Sequence, residues 1–245
     1  MSDNSLRAGY GAPFRVGAVM SRTFAISGAS FGKFFVLAFV PMTPLLLLQP
    51  IGDVGPFAGQ SGIFIGAILG LVCSTISQAT CLFGAFQLMR DQPFSIGESL
   101  RAGLARAAPV IGVGLVSGIF MGLAALLLIV PGIIVGCMLY VSTPACVIER
   151  LGVMTSLRRS RELTAGFRWQ IFGLVLIVVI ASFVVGIATD FSGSLIPGRL
   201  LAGLFDFVGQ ILIAAFGAVL AAVVYHDLRV AKEGVDIEKL ANVFD

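Results

Sequence analysis

The amino-acid sequence predicts an all-α polytopic membrane protein with six transmembrane helices, arranged as three hairpins that each follow an amphipathic interfacial helix on the cytoplasmic side. The composition is the first observation behind this prediction, because 58% of the 245 residues are hydrophobic and only 12% are charged. Soluble domains carry roughly 25% charged residues and roughly half apolar ones. A water-soluble fold of this length could not bury so much apolar side chain, so a bilayer must surround most of the chain.

The placement of charge is the second observation, because it divides the chain into a membrane domain and two tails. Residues 1–13 are small and polar, and we expect a flexible cytoplasmic tail without a removable signal peptide. Residues 14–228 form one six-helix membrane domain. Charge returns in residues 229–245, which we expect to be a cytoplasmic C-terminal tail.

The first hairpin begins with an interfacial helix. Residues 14–30 place apolar side chains at helical spacing, with basic and hydroxyl residues between them, and we predict a short helix lying in the membrane interface. The first span follows at residues 34–51, since about 20 residues cross the hydrocarbon. Prolines and glycines at positions 50, 52 and 56 end it. The second span covers residues 62–89.

The later elements repeat this plan. Amphipathic helices are predicted at residues 93–108 and 152–165, and an outer loop at residues 190–199. Pro131 and Gly132 predict a tight turn between the third and fourth spans. The four remaining spans are predicted at residues 110–130, 131–148, 169–188 and 201–225.

Small residues recur at every fourth position in the second and third spans. In lipid such rows let helix backbones approach closely. We therefore predict that the two rows face each other. They consist of Gly62, Gly66, Gly70 and Ser74 in the second span and Gly114, Gly118 and Gly122 in the third.

The later half of the second span is unusually polar for a helix in hydrocarbon. Two interpretations remain open: hydrogen bonds between helices, or a polar pocket for a ligand that includes Ser74 and Gln78. The polar residues are Ser74, Thr75, Ser77, Gln78 and Thr80.

The distribution of Lys and Arg predicts the orientation. Of the sixteen such residues, fifteen fall in the N-terminal segment, in the loops after the second and fourth spans, and in the C-terminal tail. Only Arg199 falls on the other side. Because short basic loops stay in the cytoplasm, we predict a bacterial inner-membrane protein with both termini cytoplasmic.

Two segments resemble a known family. The first segment contains Pro131-Gly132, Pro144, Glu149, Ser156-Leu157, Arg159-Ser160, Leu163-Thr164, Gly166 and Trp169, and the second covers residues 225–245, YHDLRVAKEGVDIEKLANVFD. Both are similar to the membrane domain found beside some glycerophosphoryl diester phosphodiesterases and to related bacterial membrane proteins. The resemblance implies a polytopic protein associated with lipid metabolism. We do not expect it to extend to hydrolase activity, because we expect a single membrane domain without the soluble catalytic domain.

The residues predict no enzyme, metal site or cofactor. His226 is the only histidine, and Walker A and HExxH motifs are absent. The four cysteines lie in apolar stretches without metal-binding spacing, so we expect them to be packing residues.

Arginines beside the spans are candidates for binding lipid headgroups. Alternatively, these arginines only set the orientation of the protein in the membrane, with their aliphatic stems extending along the interface. The candidates are Arg101, Arg106, Arg158, Arg159, Arg161 and Arg168.

A second candidate group lies in the sixth span. Asp206 and Gln210 are four residues apart and therefore share one helix face. Either Arg199 pairs with an acid here, or Asp206 belongs to an ion or proton path.

These observations predict a non-catalytic inner-membrane protein that binds or organises anionic phospholipid, or a membrane partner, through its basic cytoplasmic-face helices. The alternative is a small transporter or channel for a lipid or small solute. A third possibility is an anchor for a separately encoded soluble enzyme. Expected partners are membrane phospholipids and a second copy or another membrane protein, without nucleic acid.

Overall fold

The computed structural model describes residues 14–48, 60–90, 92, 94–195 and 199–233, and every regular element in these ranges is a helix. Ten helices lie in these ranges. In chain order they are α1 Val16–Ala29, α2 Phe31–Leu48, α3 Gln60–Met89, α4 Ile96–Ala105, α5 Ala107–Leu127, α6 Ile129–Leu139, α7 Ser142–Ile148, α8 Val153–Thr164, α9 Arg168–Leu195 and α10 Arg199–Glu233.

The predicted all-α class is confirmed, and the helices are compatible with a polytopic membrane protein. Among the described residues, five helical stretches are long and apolar enough to cross a membrane. A sixth is added if α1 and α2, which meet at 83°, count as one bent span. The single stretches are Ile65–Met89, Ala107–Leu127, Ile129–Ile148, Arg168–Thr189 and Gly203–Glu233.

Helix α10 lies at the centre of the fold. The most extensive helix contacts join α2 with α3, α5 with α6, and α9 with α10. Helix α10 also contacts α1, α2, α3, α7 and α8. Residues 218–225 of α10 are buried without interruption. The core therefore forms around the second half of this helix.

Hydroxyl groups of α3 bind the backbone of α2. Pro41 has no N–H, so the Leu37 carbonyl loses its normal donor within the helix. The Thr80 hydroxyl donates to this carbonyl at 3.1 Å, and the Ser77 hydroxyl donates to the Ala38 carbonyl at 3.2 Å. At these two positions, the polar half of the predicted second span forms hydrogen bonds between helices.

The prediction that two glycine rows face each other is wrong for most of their length. Only Gly114 is close to the other helix, where an added Cβ would lie 2.9 Å from Thr75 Cγ2. Gly62 lies outside the residues whose surroundings are described. The four-residue spacing indicates a smooth helix face, but it does not identify the helix that packs against that face. A Cβ would meet nothing within 4 Å at Gly66, Gly70, Gly118 and Gly122.

Close packing at glycine occurs instead where α4 meets α3. A Cβ on Gly103 would lie 2.4 Å from Thr80 Cγ2 and 3.0 Å from the Thr80 backbone. A Cβ on Gly84 would lie 2.6 Å from the Phe94 ring. Gly103 needs glycine because backbone atoms of Thr80 occupy the space of a side chain, whereas at Gly84 the Phe94 ring would have to move.

The predicted turn at Pro131 and Gly132 lies three residues too late. The helix breaks at Leu128, which has extended backbone angles, and Pro131 lies in the first turn of α6. Proline is tolerated there because the first helical N–H groups have no partner within the helix. A Cβ on Gly132 would lie 2.9 Å from Ala125 Cα, so this glycine permits the close approach of α6 to α5.

The predicted fourth span is broken into α6 and α7. The break leaves carbonyl groups near the end of α6 in need of donors. The Ser160 and Thr164 hydroxyls of α8 both bond to the Met138 carbonyl, at 2.8 Å and 3.3 Å. The Ser142 hydroxyl donates to the Leu139 carbonyl at 2.6 Å. Helix α8 therefore supplies hydrogen-bond donors to the Met138 carbonyl at the break.

Two predicted boundaries also differ. Helix α9 continues to Leu195, so residues 190–195 of the predicted outer loop are helical. Helix α10 continues to Glu233, beyond the predicted start of the C-terminal tail at residue 229. Residues 1–13, 49–59 and 234–245, which include most of both predicted tails, lie outside the described residues.

Candidate functional site

A cluster of charged side chains joins α7, α8 and α10. The Glu149 carboxylate follows α7 and accepts a 2.6 Å hydrogen bond from the Tyr225 hydroxyl of α10. The Nε of Arg159, in α8, donates to both Glu149 oxygens at 3.0 Å. One carboxylate thus holds three elements together.

A second carboxylate extends the cluster. Glu233, at the end of α10, forms ion pairs with Arg159 and with Arg229, the latter at 3.0 Å. Burial opposes the charge of Arg159, but hydrogen bonds with Glu233 and Glu149 outweigh this effect and raise the pKa of the guanidinium above its ordinary value. Arg159 therefore remains charged and bridges two acids.

A separate ion pair ties α1 to α10. Arg22 bonds to Asp227, whose side chain is only 7% exposed. His226 Nδ1 lies 3.6 Å from the other oxygen of Asp227. A buried carboxylate requires such a partner, because an isolated charge is costly to desolvate.

A small cavity lies beside these ion pairs, between α3, α7 and α10. Its volume is about 40 Å³. Arginine, histidine and tyrosine side chains form one part of its wall, and apolar side chains form the rest. The lining residues are Phe86, Met89, Arg90, Ile148, Tyr225, His226, Arg229 and Val230.

The candidate headgroup arginines differ in burial and in their ion pairs. Arg159 is part of the internal cluster. Arg158 is 79% exposed and pairs with its exposed neighbour Glu162 at 3.4 Å. Arg106 is half-buried. The other exposed members are Arg101, Arg161 and Arg168.

The candidate polar residues of the membrane domain lie in two separate places, one around Ser74 and Gln78 and the other around Asp206. Ser74 is exposed, and its hydroxyl donates to the Leu71 carbonyl of its own helix at 3.0 Å. Gln78 is half-buried. Among the described residues, no hydrogen bond joins either of them to Asp206.

Asp206 lies in a small hydrogen-bonded group between α9 and α10. As the four-residue spacing predicts, Gln210 reaches Asp206 and donates to it at 2.7 Å. The buried Thr189 donates from α9 to the other carboxylate oxygen at 3.2 Å. The side chain of Arg199, the predicted ion-pair partner of an acid here, lies outside the described part of the chain.

Sequence reasoning missed the charged cluster because its members are distant along the chain. Glu149 and Tyr225 are separated by 76 positions, and Arg22 and Asp227 by 205. One general signal was present: an acid adjoining a long apolar stretch needs a nearby cation or donor. That signal indicates that a partner exists without identifying it.

The described residues contain no group of three or more His, Cys, Asp or Glu side chains that could hold a metal ion. Comparison of the chain with protein-family models, with curated proteins and with solved structures gave no match.

Proposed function

We propose that this chain is a non-catalytic integral protein of the bacterial inner membrane, with both termini cytoplasmic, which binds anionic phospholipid headgroups through the exposed arginines of α4, α8 and the start of α9. The two-sided character of α8 is the observation that carries the proposal. Its buried face includes Ser160 and Thr164, which bond to α6, whereas Arg158 and Arg161 lie on the exposed side.

The residues beside α8 support the same function. Arg168 is exposed at the start of α9, and the adjacent Trp169 is 83% exposed. Tryptophan is enriched at the headgroup level of membranes, where its ring is amphipathic. The exposed apolar side chains of α5 and α9, such as Leu126 at 85%, would lie against acyl chains. Arg168 and Trp169 would then place α8 at the lipid surface.

Electrostatics gives the expected strength of binding. Each Arg or Lys near an anionic leaflet contributes about 1 kcal/mol. Loss of two such charges should therefore weaken binding by about thirtyfold. Arg159 contributes less in this proposal because Glu149 and Glu233 balance its charge.

The experiment compares two double variants with equal loss of charge. Arg158→Gln with Arg161→Gln removes the exposed charges of α8, while Arg15→Gln with Arg150→Gln removes two exposed charges elsewhere. Native mass spectrometry of protein extracted with its own lipids measures bound phosphatidylglycerol. We expect a large loss only for the α8 variant. Unchanged lipid, or an equal loss in both variants, would contradict the proposal.

A further inference from the structure

We infer that the cavity between α3, α7 and α10 is a binding pocket for a phosphate group, held by Arg90 and Arg229. The pocket is distinct from the exposed arginines of α8, none of which lines it. Binding here therefore does not depend on the lipid-binding surface proposed above.

The size of the cavity fits one phosphate group. Its volume is about 40 Å³. On this measure one water needs at least about 10–15 Å³, so the space holds about three water-sized groups. A phosphate monoester presents three terminal oxygens of that size. Larger headgroups would have to extend out of the pocket.

The charges of the wall favour an anion. Arg90 and Arg229 line the cavity, and no acidic side chain does. Among the described residues, the Arg90 side chain makes no hydrogen bond or ion pair, whereas Arg229 bonds to Glu233 through Nε. This bond uses Nε of Arg229, so the terminal nitrogens of Arg229 can donate hydrogen bonds to a ligand. Two guanidinium groups match the three terminal oxygens of a phosphate monoester better than they match the two oxygens of a carboxylate.

The nearby carboxylates would not repel the ligand strongly, because arginine charges balance them. Arg229 balances Glu233, so Arg229 offers its N–H donors to the ligand and Arg90 supplies the net positive charge. Glu149 accepts bonds from Tyr225 and Arg159. Glu233 pairs with Arg159 and Arg229. The ion-paired cluster therefore acts as a rigid support that keeps Tyr225 and Arg229 at the cavity wall.

The apolar part of the wall indicates which phosphates fit. Phe86, Met89, Ile148 and Val230 line the cavity together with the two arginines. These side chains exclude water from one side of the ligand, which strengthens its electrostatic contacts. The shared ligand chemistry is a phosphate carrying a small organic group. A phospholipid headgroup, whose phosphodiester has two terminal oxygens, and a free phosphate monoester, which has three, both have this chemistry.

The test uses the full-length protein in an uncharged detergent and two probes. Isothermal titration calorimetry with glycerol 3-phosphate measures a free ester, with acetate as the comparison anion. Native mass spectrometry in mixed micelles of phosphatidylglycerol or phosphatidylcholine measures a lipid. Each experiment is repeated with Arg90→Gln, Arg90→Lys and Arg15→Gln. Arg15 is exposed and does not line the cavity.

We expect Arg90→Gln to weaken binding by about tenfold, since a hydrogen bond to a charged group is lost. Arg90→Lys should keep part of the affinity, and Arg15→Gln all of it. Saturable glycerol 3-phosphate binding with this pattern identifies a free ester as the ligand. Retention of phosphatidylglycerol alone, with the same pattern, identifies a lipid. If neither probe binds, or if Arg90→Gln and Arg15→Gln behave alike, the inference is wrong.

Discussion

The Tyr225 hydroxyl donates a 2.6 Å hydrogen bond to Glu149, a residue 76 positions earlier in the chain. This bond joins the central helix α10 to the end of α7, where Arg159 also binds the carboxylate. The Tyr225 ring packs edge-on against Phe86 of α3. One side chain therefore contributes a polar contact to one neighbour and an apolar contact to another.

Tyr225→Phe should separate these two contributions. The ring contact with Phe86 remains, while the bond to a charged acceptor is lost, so we expect the free energy of unfolding to fall by about 1.5–3 kcal/mol. Thermal unfolding in detergent measures the change. In the background of Glu149→Gln the same substitution should cost less, because the charged acceptor is already gone. Equal costs in both backgrounds would show that the bond contributes nothing.

Arg22→Gln should be more harmful than the loss of any exposed arginine. It leaves the Asp227 carboxylate, 7% exposed, without its cation. Breaking a buried ion pair at one partner costs about 3–5 kcal/mol, whereas Arg15→Gln should change stability by less than about 0.5 kcal/mol. Replacement of both partners, by Arg22→Met with Asp227→Leu, should restore much of the loss. A double variant less stable than Arg22→Gln would contradict this account.

Thr80→Val should destabilise the contact between α2 and α3. The Leu37 carbonyl loses its donor because Pro41 cannot supply one, and we expect a cost of about 1–3 kcal/mol. Ser74→Ala is the control, since that hydroxyl is exposed and bonds within its own helix. Pro41→Ala restores a backbone N–H. Thr80→Val should therefore cost less in that background, and an undiminished cost would refute the role of Pro41.

Gly103→Ala and Gly97→Ala should have opposite effects, although both lie in α4. A methyl group at 103 would clash with Thr80, whose backbone lies 3.0 Å from the added carbon, so we expect a loss of about 1–3 kcal/mol. A methyl group at 97 meets nothing within 4 Å. There alanine should gain up to about 1 kcal/mol through its helix propensity. Chemical denaturation of the two variants measures the difference, and a neutral Gly103→Ala would mean that α4 packs differently.

Arg150→Gly should stabilise the turn that follows α7. Arg150 has a φ of 54°, in the left-handed region that disfavours residues with a Cβ. We expect a gain of about 0.5–1 kcal/mol in thermal unfolding. Arg150→Ala removes the same side chain but keeps the Cβ, so it should give no gain. Equal stabilisation by glycine and alanine would assign the effect to the lost charge instead.

Composition and periodicity predicted the helical class and the order of the elements, because apolar stretches and charged breaks are local features of the chain. The helix predicted at residues 152–165 is observed as α8 Val153–Thr164. The turn at Leu128 was misplaced because proline fits the first turn of a helix as well as a loop. The glycine prediction failed because spacing identifies a smooth helix face without identifying its neighbour.

The candidate residues were predictable only in part. Sequence spacing correctly placed Asp206 and Gln210 on one face, since that relation lies within a single helix. It could not distinguish Arg159 from Arg158 and Arg161, because the partners of Arg159 come from α7 and α10. The cavity beside Arg90 was also missed, as three helices distant in sequence line it.

The dependence of α6 on α8 has a consequence for synthesis on the ribosome. The Met138 carbonyl is made before its donor Ser160, which lies 22 positions later. At roughly 5–20 residues per second, the carbonyl is without this donor for about one to four seconds. The same delay separates the emergence of the two segments from the ribosome, and during it water or the insertion machinery must solvate the break between α6 and α7.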